Sequence, residues 1–200
     1  MQKPIVIGYH LIWTAYGYWL PNDPRGSMSK TIACDVIAEL GALHYGRKKV
    51  QPSARAVGEF RDRAKDVLKY SLLDFSPSDF STIAEGLAQC IREQRYTCYA
   101  CAIMPDHVHL VTGRHRSTVE YVAGFLKRAG TRQLNAAGLH PLADYRRADG
   151  RVPSPWVEDG WFVYLNTPEQ IRQRIGYVQE NPVKEGLPRQ QWPFVVPYEP

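Results

Sequence analysis

Near the start of the chain Ile5, Ile7, Tyr9, Leu11 and Trp13 share one parity, the period-two signature of a strand with a buried face, and a strand is expected over 4–16. The loop "WLPNDPRGSMSK" follows. Helix-like stretches come next, at about 31–45 and 55–72, separated by the basic run "GRKKVQPS", so 20–77 reads as a largely helical insertion. Phe80, Ile83, Leu87 and Ile91 then recur at helical spacing and predict a helix over 80–94, leading into a strand over 96–104. Pro105 and Asp106 break the pattern and turn the chain into a second strand, 107–113. A further helix opens with a capping-box pattern from Ser117 to Glu120 and lines up Val122, Phe125, Leu126 and Ala129 on one face.

Residues 138–160 form a Pro- and Arg-rich loop, and "WFVYL" supplies a last strand. The final helix has a clear start: Thr167 can cap, Pro168 suits the first helical position, and Gln170 completes a Thr-x-x-Gln box. Pro182 is expected to limit its end. The elements sum to an α+β fold with a ferredoxin-like β-α-β-β-α-β core and a mostly antiparallel sheet. A helical insertion follows the first strand, and a C-terminal helix ends the chain. No internal repeat is visible, and 1–200 is expected to form one domain.

Composition narrows the picture only slightly. With 44% hydrophobic and 12% aromatic residues in 200, a real core is available and disorder is not expected. Lys+Arg number 25 against 20 Asp+Glu, a net +5 that is compatible with an anionic partner without demanding one. No apolar run approaches the roughly 20 residues of a membrane helix. The first residues also lack a small-residue cleavage site, so no membrane and a cytoplasmic location are expected. In that compartment Cys34, Cys90, Cys98 and Cys101 are expected as reduced structural thiols. The odd spacing of Cys98 and Cys101 on a strand should point them to opposite faces.

The chemistry concentrates in two places. In "CAIMPDHVHLV", His107 and His109 share one face of a strand while Val108 and Leu110 share the other, so the apolar pair goes inward and two imidazoles stand side by side. They are either ordinary exposed histidines or two ligands awaiting a third. On the final helix, Ile171, Ile175 and Val178 form the apolar stripe. Tyr177 and Asn181 fall on an adjoining flank one turn apart, so Tyr177 is either a core-edge tyrosine or a presented phenol.

"YACAIMPDHVHLV", followed about seventy residues later by "YVQENPVKEGL", resembles the HUH endonuclease superfamily, specifically the single-tyrosine transposases of the IS200-like and REP-associated group. The early "YHLIW" is similar to that family's first strand. The paired motif covers about two dozen residues, and the matching element order extends to Leu187. The resemblance implies that His107 and His109 are metal ligands, that Tyr177 is the nucleophile, and that Asn181 completes the shell of a divalent ion, Mg²⁺ or Mn²⁺. It also implies a 5′-phosphotyrosine intermediate, strand transfer without ATP, and single-stranded DNA carrying short hairpins as substrate. Such enzymes act as monomers or homodimers. The 20–77 insertion and the basic loop depart from the smallest family members and leave substrate choice open.

DNA needs cations and stacking surfaces. Lys127, Arg128 and Arg132 on the second core helix, Arg146, Arg147 and Arg151 in the late loop, and Arg47, Lys48 and Lys49 in the insertion are candidates, with Tyr145 and Trp156 able to stack on unpaired bases. Each cation can equally be a solvated charge, and Trp156 a core anchor. Rival readings are a catalytically inactive or domesticated hairpin-binding protein, a metal-dependent hydrolase, and an RNA- or protein-binding role for the insertion. A two-histidine phosphoesterase fails, because it needs two His-x-Ser/Thr motifs and the sequence holds one, His115-Arg116-Ser117.

Overall fold

The computed structural model describes residues 5–200, so Pro4, the first residue of the expected initial strand, lies outside the described residues. Four strands form one sheet: β1 (Gly8–Thr14), β2 (Cys98–Ile103), β3 (His107–Gly113) and β4 (Trp161–Leu165). They hydrogen-bond in the order β2, β3, β1, β4, with every neighbouring pair antiparallel. Helices α3 (Pro77–Gln94) and α4 (Val119–Ala136) cover one face, and α5 (Pro168–Lys184) covers the other. This is the ferredoxin-like α+β arrangement that the pattern predicts, with β3 and β1 at the centre.

Alternation of side chains along the strands builds two cores. Leu11, Trp13, Val108 and Leu110 pack under Ile83, Leu87, Val122 and Leu126 from α3 and α4. On the opposite face Ala100, Ala102, Val111 and Leu165 meet Ile171 and Val178 of α5. The two helices of the first layer approach closely at Gly86, where an added Cβ would fall 2.6 Å from the carbonyl oxygen of Ala129.

One expectation about β2 is overturned. Cys98 pairs with Thr112 and Ala100 with Val111, so two residues of β2 oppose one of β3 in a β-bulge. The extra residue flips the parity. Cys98 and Cys101 therefore point to the same face and join the same core. All four cysteines are free thiols, and burial pushes the Cys98 pKa up to about 12.

The insertion carries less helix than its pattern suggests. Its first helix shrinks from 31–45 to α1 (Asp35–Ala38), and the second runs as α2 (Ala54–Val67) instead of 55–72. Buried polar groups organise the remainder: the Asn22 side chain donates to the carbonyls of Ile37 and Gly41, and the Asp23 carboxylate accepts from Arg25. Tyr70, Leu73 and Phe75 then return the chain to the main core.

Helix termini differ in detail. The expected Ser117 cap is not used; α4 begins after Thr118, and the Ser117 N–H donates to His115 Nδ1. At α5 the Thr167 hydroxyl accepts from the Gln170 N–H, as expected. The helix nevertheless continues two residues beyond Pro182, whose carbonyl accepts from the Glu185 and Leu187 N–H groups in the closing turn.

Beyond α5 the chain folds back along the outer edge of β2. The Gln190 amide accepts from the Ile103 N–H at 2.8 Å and donates to the Ile103 carbonyl at 2.7 Å. The Val196 N–H donates to the Cys98 carbonyl at the other end.

Gly86→Ala is expected to cost about 1–3 kcal/mol by forcing α3 and α4 apart. Urea denaturation would show this as a lower midpoint with an unchanged slope.

Candidate active site

The β1–β3 register places His10, Ile12, Thr14, His107, His109 and Val111 on the face that α5 crosses. The histidine face is thus covered, not the open, wet strand face that the local pattern suggests. His109 is buried, whereas His107 keeps partial access at the strand end.

Each histidine is oriented through Nδ1. His107 Nδ1 lies 2.5 Å from the Asp106 carboxylate, and His109 Nδ1 lies 2.9 Å from His10 Nε2. Second-shell contacts of this kind fix the ring and direct the other nitrogen, Nε2, outward. Burial raises the Asp106 carboxyl pKa, but the hydrogen bond and charge of His107, with Arg61, outweigh it and hold the group below its ordinary value. Burial, with help from the Arg174 charge, pushes the His10 pKa down to about 4. Burial and the charges of His107, His10 and Arg174 push His109 well below its ordinary value. His10 and His109 are therefore neutral at neutral pH, and for His109 that is the form that coordinates metal.

Tyr177 stands over this pair. Its ring centroid is 5.7 Å from that of His109 and 5.9 Å from that of His10, both edge-on. It remains 42% exposed, so the phenol is available to a ligand. Two cations flank the ring, Lys184 Nζ at 5.7 Å and Arg174 Cζ at 6.0 Å. His107, His109 and Tyr177 all line one cleft of about 260 Å³. Asn181 is buried one turn along α5, and its Nδ2 has no partner among the described residues; it does not line the cleft itself.

No three His, Cys, Asp or Glu side chains converge as a metal cage among the described residues. A resident ion would therefore rest on the two imidazoles plus a neutral oxygen, a donor type that the Asn181 amide carries in Oδ1. That donor set fits a hard divalent ion whose remaining positions are filled by substrate oxygens and water.

The expected DNA-contacting cations, Arg47 aside, lie outside the cleft lining. Lys127 Nζ donates to the carbonyls of Val157, Glu158 and Asp159 at 3.0, 2.7 and 2.9 Å, so its donors are spent on clamping the loop before β4. Burial lowers its pKa to about 8, against the pull of Asp159 and Glu158. Arg128 and Arg132 are exposed on α4, across the sheet from Tyr177, with Arg128 lying over Phe125. Arg146, Arg147 and Arg151 are exposed in the loop, where Arg146 donates to the Gly150 carbonyl. Trp156 is a core anchor, packed on Trp13 and Phe75, with its N–H facing the Lys127 carbonyl and Thr131 hydroxyl.

Sequence reasoning singled out neither His10 nor Asp106. Asp106 was legible as a carboxylate adjoining His107, but His10 needed the strand register. Trp19, just ahead of the insertion, and Arg25 and Arg47 within it line the cleft wall, with no local signal for two of these three.

A four-stranded antiparallel sheet, a helix pair on one face and a tyrosine-bearing helix over histidines on the other define a ferredoxin-like fold with a histidine–tyrosine cleft. No protein-family model and no curated protein matches the chain. Among solved structures it is similar to the REP-associated tyrosine transposase bound to a REP hairpin, at 12% identity over 97% of this chain and 79% of that one, with a TM-score of 0.47. It is also similar to a protein of Deinococcus radiodurans R1 provisionally described as a transposase, at 14% identity over 90% of this chain and 97% of that one, with a TM-score of 0.40.

Two predictions follow from the buried groups. His10 binds its proton with a pKa of about 4 when folded and an ordinary value near 6.5 when unfolded, so its contribution is fully present above pH 6.5 and lost as pH falls toward 4. With a chelator present, stability should fall by up to roughly 1.4 kcal/mol per pH unit across that window, and His10→Gln should flatten the slope. Lys127→Met should lower stability by about 1–2 kcal/mol by stranding the loop carbonyls, measurable as a drop in Tm.

Proposed function

We propose that this chain is a metal-dependent single-stranded DNA endonuclease and strand transferase of the transposase type, acting on hairpin-bearing DNA. The observation that carries the proposal is the convergence of Tyr177, on α5, with His107 and His109, on β3, at one cleft, although about seventy residues separate them. The Met-Pro-Asp-His-Val-His and Tyr-x-x-x-Asn-Pro-Val motifs, with their resemblance to the single-tyrosine HUH enzymes, name the chemistry that such a cleft suits.

The Tyr177 oxygen attacks the phosphorus of a bound phosphodiester. The bond to the 3′ oxygen breaks, that oxygen leaves as a 3′-hydroxyl, and the 5′ phosphate stays esterified to the tyrosine. One ester replaces another, so no ATP is consumed, and attack by a second 3′-hydroxyl reverses the step on a new strand. His107, His109 and Asn181 would hold Mg²⁺ or Mn²⁺, and the chemistry such an ion would supply there is stabilisation of the negative charge that develops on the phosphate.

The chain's own residues supply the positioning. Asp106 and His10 orient the His107 and His109 rings through their Nδ1 atoms. Lys184 and Arg174 bring positive charge to the phenol and the incoming phosphate. Arg47 at the cleft wall and the exposed Arg146, Arg147 and Arg151 of the late loop are cations offered to DNA phosphates; Arg128 and Arg132, across the sheet, would meet only a hairpin that wraps the edge, and Lys127 serves the loop.

Hairpin oligonucleotides from the DNA beside the coding region, labelled on the 3′ fragment and incubated with Mg²⁺ or Mn²⁺, test the proposal. An SDS-stable protein–DNA adduct is expected, and Tyr177→Phe should reduce it by a factor on the order of 10³ or more. Binding without an adduct would point instead to a hairpin-binding protein that does not cut. Cleavage surviving Tyr177→Phe would point to a hydrolase.

A further inference from the structure

Besides the histidine–tyrosine cluster, the cleft is lined by residues for which the phosphodiester chemistry has no use. They are Trp19, just ahead of the insertion, Arg25, Met28 and Arg47 within it, Val157 in the loop before β4, and Trp161, the first residue of β4. This wall is tightly constructed. Trp19 adopts a φ of 54°, a left-handed conformation that is unusual for so bulky a residue and is retained only where the surroundings over-determine it.

Arg25 fixes that indole. Its Cζ lies 4.0 Å from the Trp19 ring centroid. Its Nε and Nη2 donate to the two Asp23 oxygens at 2.9 and 2.7 Å, and the Asp23 side chain is only 2% exposed. The turn behind it is equally constrained: Gly26 has a φ of 98°, and a Cβ there would fall 1.8 Å from the Gly46 carbonyl oxygen. Clamped in this way, the guanidinium is fixed at the cleft wall with Nη1 outside its fork with Asp23.

Two indoles and aliphatic surface beside a fixed guanidinium do not suit a bare phosphate, which gains nothing from apolar walls. Nor do they suit an aliphatic ligand, which would leave the guanidinium unused. A flat heteroaromatic ring with polar edge atoms matches both features. The whole cleft, at about 260 Å³, lies below the roughly 300 Å³ at which drug-sized pockets begin, so it admits one unpaired base and no duplex.

We propose that this subsite takes one unstacked nucleobase next to the phosphate at His107 and Tyr177, stacked against Trp19 or Trp161 and recognised at its acceptor edge by Arg25. The insertion thereby sets the sequence preference at one nucleotide beside the cleavage point. The base's position along the strand rests on the proposed nuclease reading; the base pocket itself does not.

Two assays separate these claims. In the first, Tyr177→Phe protein binds single-stranded oligonucleotides from beside the coding region, each with 2-aminopurine at a different position, and a matching series carries abasic sites. One position should be quenched on binding, and its abasic version should bind roughly five- to a hundredfold more weakly. Both effects should vanish in Trp19→Ala or Trp161→Ala proteins that melt normally. The abasic series on otherwise unaltered protein needs neither variant.

In the second, protein with Tyr177 intact is assayed for the SDS-stable adduct on the same strands. Position-specific quenching without an adduct keeps the pocket and removes the nuclease reading. An adduct whose formation tolerates an abasic site at every flanking position, with no position-specific quenching, removes the pocket and keeps the nuclease. Quenching that survives both indole substitutions also overturns the pocket.

Discussion

The pairing of β1 with β3 is the constraint on which both the core and the cleft depend. Opposite partners in an antiparallel pair share a face, so Leu11 with Leu110 and Trp13 with Val108 form the floor under α3 and α4. The intervening partners, Ile12 with His109 and Thr14 with His107, are delivered to α5 by the same register. A one-residue slip would bury the imidazoles among leucines and expose the leucines to Tyr177. Hydrophobic burial on one face therefore fixes the geometry of the chemistry on the other.

This coupling explains why a nearly buried histidine is tolerated. His109 lies beneath α5, where an unpaired polar group is costly, and His10 supplies a hydrogen bond across the strand pair. Neither ring needs a charge to make that contact. The neutral pair keeps the apolar contacts of Ile171 and Val178 intact while leaving Tyr177 at the water-facing margin of the same helix. The helix thus separates its anchoring stripe from its reactive flank by about a third of a turn, a division already written in the spacing of its apolar positions.

Local periodicity was a good guide wherever the signal was local. The four strands, the stripes of α3 and α4, and the Thr167 start of α5 could all be read from neighbouring residues, as could the pairing of His107 with His109 and the flank carrying Tyr177. What escaped depended on distant partners. His10 joins the cluster only through strand register, and the Cys98–Cys101 parity fails because the bulge opposite Val111 inserts one residue. The insertion looked more helical than it is because its stability comes from Asn22, Asp23 and Arg25 satisfying loop carbonyls and each other, a pattern with no period to detect. Lys127 looked like a surface cation until its three loop acceptors were in place.

The chain beyond α5 has an effect on the sheet that its lack of regular structure conceals. By occupying the backbone groups of Ile103 and Cys98, Gln190 and Val196 close off the outer margin of β2 to any other extended segment. Among the described strands, β4 is left as the margin without a neighbour on its far side. Self-association by strand addition, the usual hazard of an uncovered sheet, is thereby confined to five residues. Those residues begin at Trp161, in the cleft wall, so aggregation through this margin and entry of a ligand would compete for the same piece of chain.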